Sequence, residues 1–196
     1  NVQYRFYLAS AYNKKRWLEN AIYEFSALTE EYPDSVRFWL GLGYAYNHSW
    51  QFEKALKAYR KAYELQPQSD MCKRGLVSAL VNRGTELYEN KKPEEARRYF
   101  LEAISIIPTA WGAYNNLVVL EINEGNLDVA EEIARDILEL QPSSADLNFN
   151  MGMILEKKGN IEGALKYYEK SVKLNPMYID VKNRIDSLKA FLKIKE

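Results

Sequence analysis

The chain of 196 residues has few of the residues that most often carry chemistry or covalent cross-links. It contains one cysteine and one histidine, so it has no internal disulfide and offers no pair of histidines to a zinc ion. It also lacks the Gly-x-Ser-x-Gly motif of serine hydrolases and the Gly-Lys-Ser/Thr end of a phosphate loop. We therefore expect no catalytic residues, no metal site and no cofactor, and we predict that the protein is not an enzyme.

An excess of charge and a long hydrophobic run are missing as well. Lys and Arg number 27, as do Asp and Glu, which gives a formal net charge of zero. A neutral chain has no general electrostatic attraction to nucleic acid or to an anionic membrane. No apolar run reaches the 18 or so residues that span a bilayer. The expected partners exclude nucleic acid and direct membrane insertion, and we expect a soluble protein, with the cytoplasm slightly favoured and the compartment otherwise open.

Prolines occur at regular intervals along the chain. Pro33, Pro67, Pro108, Pro142 and Pro176 are separated by 34, 41, 34 and 34 residues, and the one longer interval exceeds the others by about two helical turns. A constant period of this length indicates helical units that stack on one another. An alanine lies 12 residues before each proline, followed by further residues of a helical stripe. These alanines are Ala21, Ala55, Ala96, Ala130 and Ala164.

One unit shows the internal pattern most clearly. It contains, in order, Trp39, Leu42, Gly43, Tyr46, Ala55, Tyr59, Ala62 and Pro67. This pattern resembles the tetratricopeptide repeat family. The resemblance implies an all-α fold, a right-handed superhelical solenoid of antiparallel helix hairpins. It also implies that the protein binds other proteins.

Alignment on the prolines predicts one solenoid domain that occupies residues 1–196. Its five repeats are 2–35, 36–69, 77–110, 111–144 and 145–178, and a capping helix follows at 179–196. Residues 70–76 are a helical insert, which predicts one long helix from about Asp70 to about Glu89. The fourth repeat departs from the pattern, because Val118 and Glu121 stand where glycine and tyrosine are expected.

Three asparagines repeat with the same period as the units. Asn82, Asn116 and Asn150 are 34 residues apart and occupy the sixth place of their repeats. An asparagine side chain has one acceptor and two donors, so it suits a peptide backbone. The three residues resemble the asparagine ladder of the O-GlcNAc transferase superhelix and the groove asparagine of chaperone-binding repeat domains. This resemblance implies capture of an extended peptide in a concave groove. In the alternative interpretation, the amides bond within the scaffold or face water.

Further side chains are expected in the same groove. They are Arg37, Tyr44, Asn47, Asn115 and Phe149. Aromatic residues and adaptable polar groups are common on recognition surfaces, although Phe149 also suits a core position. The sequence thus predicts a non-catalytic protein–protein interaction module that binds an extended segment of a partner.

Two other functions are compatible with the same pattern. The first is a self-assembling scaffold, in which the N-terminal repeat binds another copy through exposed aromatic residues such as Tyr4, Tyr7 and Trp17. This would make the protein a homo-oligomer. The second is a substrate-docking or regulatory arm of a larger enzyme, and such an arm binds rather than catalyses.

Overall fold

The computed structural model describes residues 1–195, and the last residue of the predicted capping helix, residue 196, lies outside that range. The described residues form eleven α-helices and no strand, which confirms the all-α fold class. The helices are α1 (Val2–Lys15), α2 (Leu18–Glu31), α3 (Val36–His48), α4 (Phe52–Leu65), α5 (Asp70–Glu89), α6 (Pro93–Ile106), α7 (Trp111–Glu124), α8 (Leu127–Leu140), α9 (Ala145–Lys157), α10 (Ile161–Leu174) and α11 (Ile179–Lys195).

The chain divides into two compact units, one formed by Asn1–Ala110 and the other by Trp111–Glu196. In the N-terminal unit, α1 packs on α2, α3 on α4 and α5 on α6. In the C-terminal unit, α7 packs on α8 and α9 on α10, and α11 packs on α10. Both units are therefore built from helix hairpins, and the second ends in an additional helix.

Each proline of the repeat period lies two residues beyond the end of a hairpin. For example, α4 ends at Leu65 and Pro67 follows, and α8 ends at Leu140 and Pro142 follows. Proline has no N–H to continue the helix, and it keeps the preceding residue out of the helical region. The regular spacing of prolines thus produces a regular spacing of hairpins.

Within three hairpins, a glycine of the first helix lies against an aromatic ring of the second. A Cβ atom on these glycines would lie 2.9, 2.6 and 2.5 Å from the nearest ring atom, which is closer than real Cβ atoms approach. The two helices therefore cross closely only because the glycines carry no side chain. The pairs are Gly43–Tyr59, Gly84–Phe100 and Gly152–Tyr168.

The hairpin of α7 and α8 reverses this size relationship. Val118 stands in place of the glycine, and Ala134 stands in place of the ring; both are fully buried in one apolar cluster. A larger residue on the first helix is thus matched by a smaller one on the second, as close packing requires. The carboxylate of the nearby Glu121 is buried and accepts a hydrogen bond of 2.7 Å from the Asn126 side chain.

The helix α5 is longer than the first helix of any other hairpin. Its 20 residues include residues 70–76, which form its first two turns. The Ser69 hydroxyl accepts a hydrogen bond from the Cys72 backbone N–H at its start, and the Cys72 side chain is completely buried. The boundaries of the five repeats stay predictions.

The turn inside each hairpin contains one residue with a positive φ. The residues are Arg16, Trp50, Lys91, Gly125 and Gly159, with φ of 61°, 61°, 61°, 85° and 83°. They follow one another at the same intervals as the prolines. Glycine adopts this left-handed conformation without steric cost, whereas residues with a side chain adopt it only at a cost in free energy. The N-terminal unit therefore keeps costly residues at three equivalent turns.

The helix α11 covers the apolar end of the C-terminal unit. Val181, Ile185 and Leu188 are buried in one cluster with residues of α10. The Arg184 guanidinium donates from Nε to Glu156 Oε2 over 3.1 Å. The described helices include none that is long and apolar enough to cross a membrane.

Candidate peptide-binding grooves

A groove of about 450 Å³ lies along the first helices of the hairpins in the N-terminal unit. The groove is mainly apolar, with a few amide, hydroxyl and cationic groups, which is the usual composition of a binding site. We call it the N-terminal groove. Its lining comprises Phe6, Ser10, Asn13 and Lys14 of α1, Phe25 of α2, Arg37, Leu40, Gly41 and Tyr44 of α3, and Met71 of α5.

Two predicted site residues, Arg37 and Tyr44, meet in this groove. The Arg37 guanidinium carbon lies 4.9 Å from the ring centroids of both Phe6 and Phe38, so the cation is held by aromatic faces. Arg37 has no carboxylate partner among residues 1–195. The Tyr44 side chain is exposed, and its ring stacks on His48 with 3.9 Å between the ring centroids. Both residues therefore present surface to a ligand.

The amide of Asn13 lies at the floor of the same groove. Its Nδ2 atom donates a hydrogen bond of 3.0 Å to the Gly41 carbonyl oxygen, which joins α1 to α3. Its Oδ1 atom is buried and accepts no hydrogen bond within the described part of the chain. An acceptor left unpaired in this way is uncommon in folded proteins.

Asn47 and Asn82 form an amide pair at the turn edge of the N-terminal unit. Asn82 Nδ2 donates to Asn47 Oδ1 over 2.9 Å. The pair lines a depression of about 200 Å³, which we call the turn notch. The other residues of the turn notch are Arg16, His48, Trp50 and Phe52.

The C-terminal unit has a groove of its own, of about 660 Å³, which we call the C-terminal groove. The predicted residues Asn115, Phe149 and Asn150 line it. Asn150 is only 3% exposed, and its Nδ2 atom donates to Asn115 Oδ1 over 2.8 Å. The remaining lining comes from Asp146 of α9, from Met177 and Tyr178, and from Ile179, Asp180 and Val181 of α11.

Two carboxylates make the C-terminal groove acidic. These are Asp146 and Asp180, and among the described side chains no cationic one lines the groove with them. The Tyr178 hydroxyl donates a hydrogen bond to Asp146. This hydrogen bond to the carboxylate is the main reason that the pKa of Tyr178 is raised above its ordinary value, with burial adding to it.

Four of the predicted asparagines form two pairs. Asn82 is paired with Asn47 and Asn150 with Asn115, so the interpretation in which the amides bond within the scaffold describes both of them. Asn116 is half-buried on α7 beside Asn115. The side chains that offer the most surface are Arg37 and Tyr44, and the assignment of all eight residues to a peptide site stays a prediction.

Sequence reasoning missed Arg16 and Trp50, which line the turn notch. A signal for them was present, because counting back from Gly125 and Gly159 in repeat intervals leads to Lys91, Trp50 and Arg16. It also missed Tyr178 and Asp180, for which the regular pattern offers no signal, since they lie at or beyond the end of the last repeat.

Comparison with known proteins identifies the family. Two models of the tetratricopeptide repeat match the chain, one over residues 8–70 and 81–144 and the other over residues 145–178. The chain belongs to the tetratricopeptide repeat family.

Individual relatives are distant. The human tetratricopeptide repeat protein 6 is 24% identical over 87% of the chain, which corresponds to 32% of that protein. The chain spans at most about a third of the length of the curated relatives it matches.

Two solved structures share the fold. MamA has a TM-score of 0.69 at 19% identity, and the match covers 89% of this chain and 92% of the MamA chain. YrrB, described as a tetratricopeptide repeat protein with an unusual peptide-binding site, has a TM-score of 0.67 at 21% identity, with 92% and 89% covered.

The described residues contain no group of three or more His, Cys, Asp or Glu side chains placed to hold a metal ion. The fold is typical of non-catalytic interaction modules.

Proposed function

We propose that this chain is a protein–protein interaction module that binds an extended peptide segment of a partner in the N-terminal groove. The observation that carries the proposal is the groove itself, in which an exposed tyrosine and an unpaired arginine flank an apolar floor. Aromatic residues and arginine contribute more binding energy per residue than other types at protein interfaces. The similarity to YrrB supports the proposal at the level of the fold.

The amide pairs have a supporting role in this proposal. Asn47–Asn82 and Asn115–Asn150 each join the first helices of neighbouring hairpins. Each pair fixes the position of its two helices, one pair beside the turn notch and the other in the C-terminal groove. Phe149 and Asn115 give the C-terminal groove a similar mixture of ring and amide.

The proposal is tested with a display library of random peptides that is panned against the chain. We expect wild type to enrich peptides and the variant Tyr44→Ala to lose most of their binding, by about tenfold or more, because interface tyrosines are often worth more than 1.4 kcal/mol. The matched control is Tyr23→Ala, which removes a 73% exposed tyrosine from α2, outside the groove. Equal binding by both variants would rule out the N-terminal groove as the site.

A further inference from the structure

The turns of the first two hairpins have residues that the backbone does not favour. Arg16 and Trp50 both have φ of 61°, where the equivalent turns of the C-terminal unit have glycine. Glycine would adopt this conformation at lower cost. Local folding therefore does not explain why these two positions hold long side chains. Costly conformations of this type persist most often at functional sites.

Both side chains line the turn notch. They come from turns 34 residues apart, and the packing of α1 against α3 brings them to the same depression with His48. The Trp50 side chain is 78% exposed, and its ring meets Phe52 edge to face at 5.6 Å between centroids. Trp50 thus offers most of its ring surface to a molecule that enters the notch.

The charge of this edge is positive and uncompensated. Lys14, Lys15 and Arg16 are consecutive, and none of them has an ion-pair partner within residues 1–195. Within the described part of the chain, no carboxylate lines the turn notch. At the equivalent turn of the last hairpin, Lys158 donates to both Asp128 and Glu131 over 2.6 Å. The cation is neutralised by its own chain there, whereas at the first turn the cations are free for a ligand.

We propose that the turn notch is a second binding site, which takes acidic side chains of the partner segment. The Arg16 guanidinium forms two parallel hydrogen bonds to a carboxylate, and the Trp50 ring covers the apolar part of the same side chain. The notch adjoins the N-terminal groove, since Tyr44 of the groove stacks on His48 of the notch. The inference rests on the proposed function, and it adds that acidic residues accompany the apolar part of the ligand.

A protein segment suits this site better than nucleic acid does. The chain has no net charge, and Lys14, Lys15 and Arg16 form a small cationic patch, whereas nucleic-acid binding usually draws on an extended basic surface. A carboxylate beside an apolar segment is complementary to the notch and the groove together.

The test uses the same peptide library, panned against wild type, Arg16→Gly, Trp50→Gly and Lys91→Gly. Lys91 shares the positive φ and lies outside the notch. Lys91→Gly is therefore the matched control for the removal of an unfavourable backbone conformation. We expect wild type and Lys91→Gly to enrich peptides with Asp or Glu beside apolar residues. Arg16→Gly and Trp50→Gly should lose the acidic preference while their thermal stability is equal to wild type or higher.

One enriched peptide and its Glu→Gln counterpart then give the affinity by fluorescence anisotropy. Arg16→Gly should weaken the acidic peptide about tenfold, as expected for one charge-assisted pair, and leave the Gln peptide unchanged. An unchanged acidic preference in Arg16→Gly overturns the inference. Tighter binding of a single-stranded oligonucleotide than of the acidic peptide, with the same dependence on Arg16, also overturns it. If wild type enriches no peptide at all, the proposed function fails instead.

Discussion

The turns of the N-terminal unit and those of the C-terminal unit have the same backbone conformation and different residues. Arg16, Trp50 and Lys91 occupy the left-handed position in the first, and Gly125 and Gly159 occupy it in the second. The C-terminal unit has glycine, the residue that adopts this conformation at the lowest cost in free energy. The N-terminal unit gives up stability at three turns, and two of those turns line the turn notch.

The grooves of the two units also differ, in the sign of their charge. Arg37 and Lys14 make the N-terminal groove cationic, whereas Asp146 and Asp180 make the C-terminal groove acidic. Similar hairpins thus support surfaces of opposite charge. The repeat thus determines the scaffold, and the residues left free by the scaffold determine the charge of each groove.

The hairpin of α7 and α8 gives the largest expected effect, because its packing is the reverse of that in α5 and α6. Ala134→Tyr introduces a ring opposite Val118 where the other hairpin has Phe100 opposite Gly84. We expect a loss of about 3 kcal/mol in the free energy of unfolding, from overpacking. The double variant Val118→Gly with Ala134→Tyr should recover most of it, less about 1 kcal/mol for glycine in a helix. Urea denaturation measures both, and a double variant no more stable than Ala134→Tyr would contradict the matched-size interpretation.

The turn residues provide a second, smaller effect of opposite sign in the two units. Gly125→Ala and Gly159→Ala should each lower the free energy of unfolding by about 1 kcal/mol, because a side chain is disfavoured at positive φ. Lys91→Gly should raise it by about 0.5 kcal/mol for the same reason. Thermal unfolding gives the sign directly, and a loss of stability in Lys91→Gly would remove the basis for the comparison of the turns.

The smallest effect concerns the paired cation of the C-terminal unit. The hydrogen bond from Lys158 holds the pKa of Asp128 below its ordinary value, and the charge of Lys158 acts in the same direction. A lowered carboxyl pKa contributes stability that is present above the ordinary pKa and is lost as the pH falls through the lowered one. Asp128→Asn should therefore remove a small part of the stability at neutral pH and flatten its acid dependence. NMR titration of the Asp128 carboxyl group measures the pKa, and an unshifted value would contradict the pairing.

Much of the fold follows from the sequence because proline, glycine and alanine each have a local effect. Prolines such as Pro67 and Pro142 follow the ends of helices. A glycine such as Gly43 is required where a ring such as that of Tyr59 packs against the helix. These constraints repeat with the period, so hairpin positions and the all-α class were predictable. The sequence showed Val118 as a departure from glycine, and only the packed structure shows that the small Ala134 compensates for it.

The candidate site was less predictable, because it depends on which helix a side chain meets. The shared place of Asn82 and Asn150 in their repeats was visible in the sequence. Their partners, Asn47 and Asn115, occupy different places in their own repeats, so the period does not reveal the pairing. Each pair is nevertheless separated by 35 residues, and this second spacing is a signal that a search for amide pairs could use.

The amide pairs also bear on how a chain of similar hairpins assembles in the right order. Apolar surfaces of related repeats are interchangeable enough for one hairpin to dock in a neighbour's place, and such misassembly is a characteristic failure of repeat proteins. Asn47–Asn82 marks the contact of α3 with α5, and Asn115–Asn150 marks that of α7 with α9. A hairpin without an asparagine at its sixth place, such as the one with Gly41, would leave Asn47 or Asn115 without its partner if it docked there, which is costly. The pairs thus disfavour the first two hairpins at these two contacts during folding.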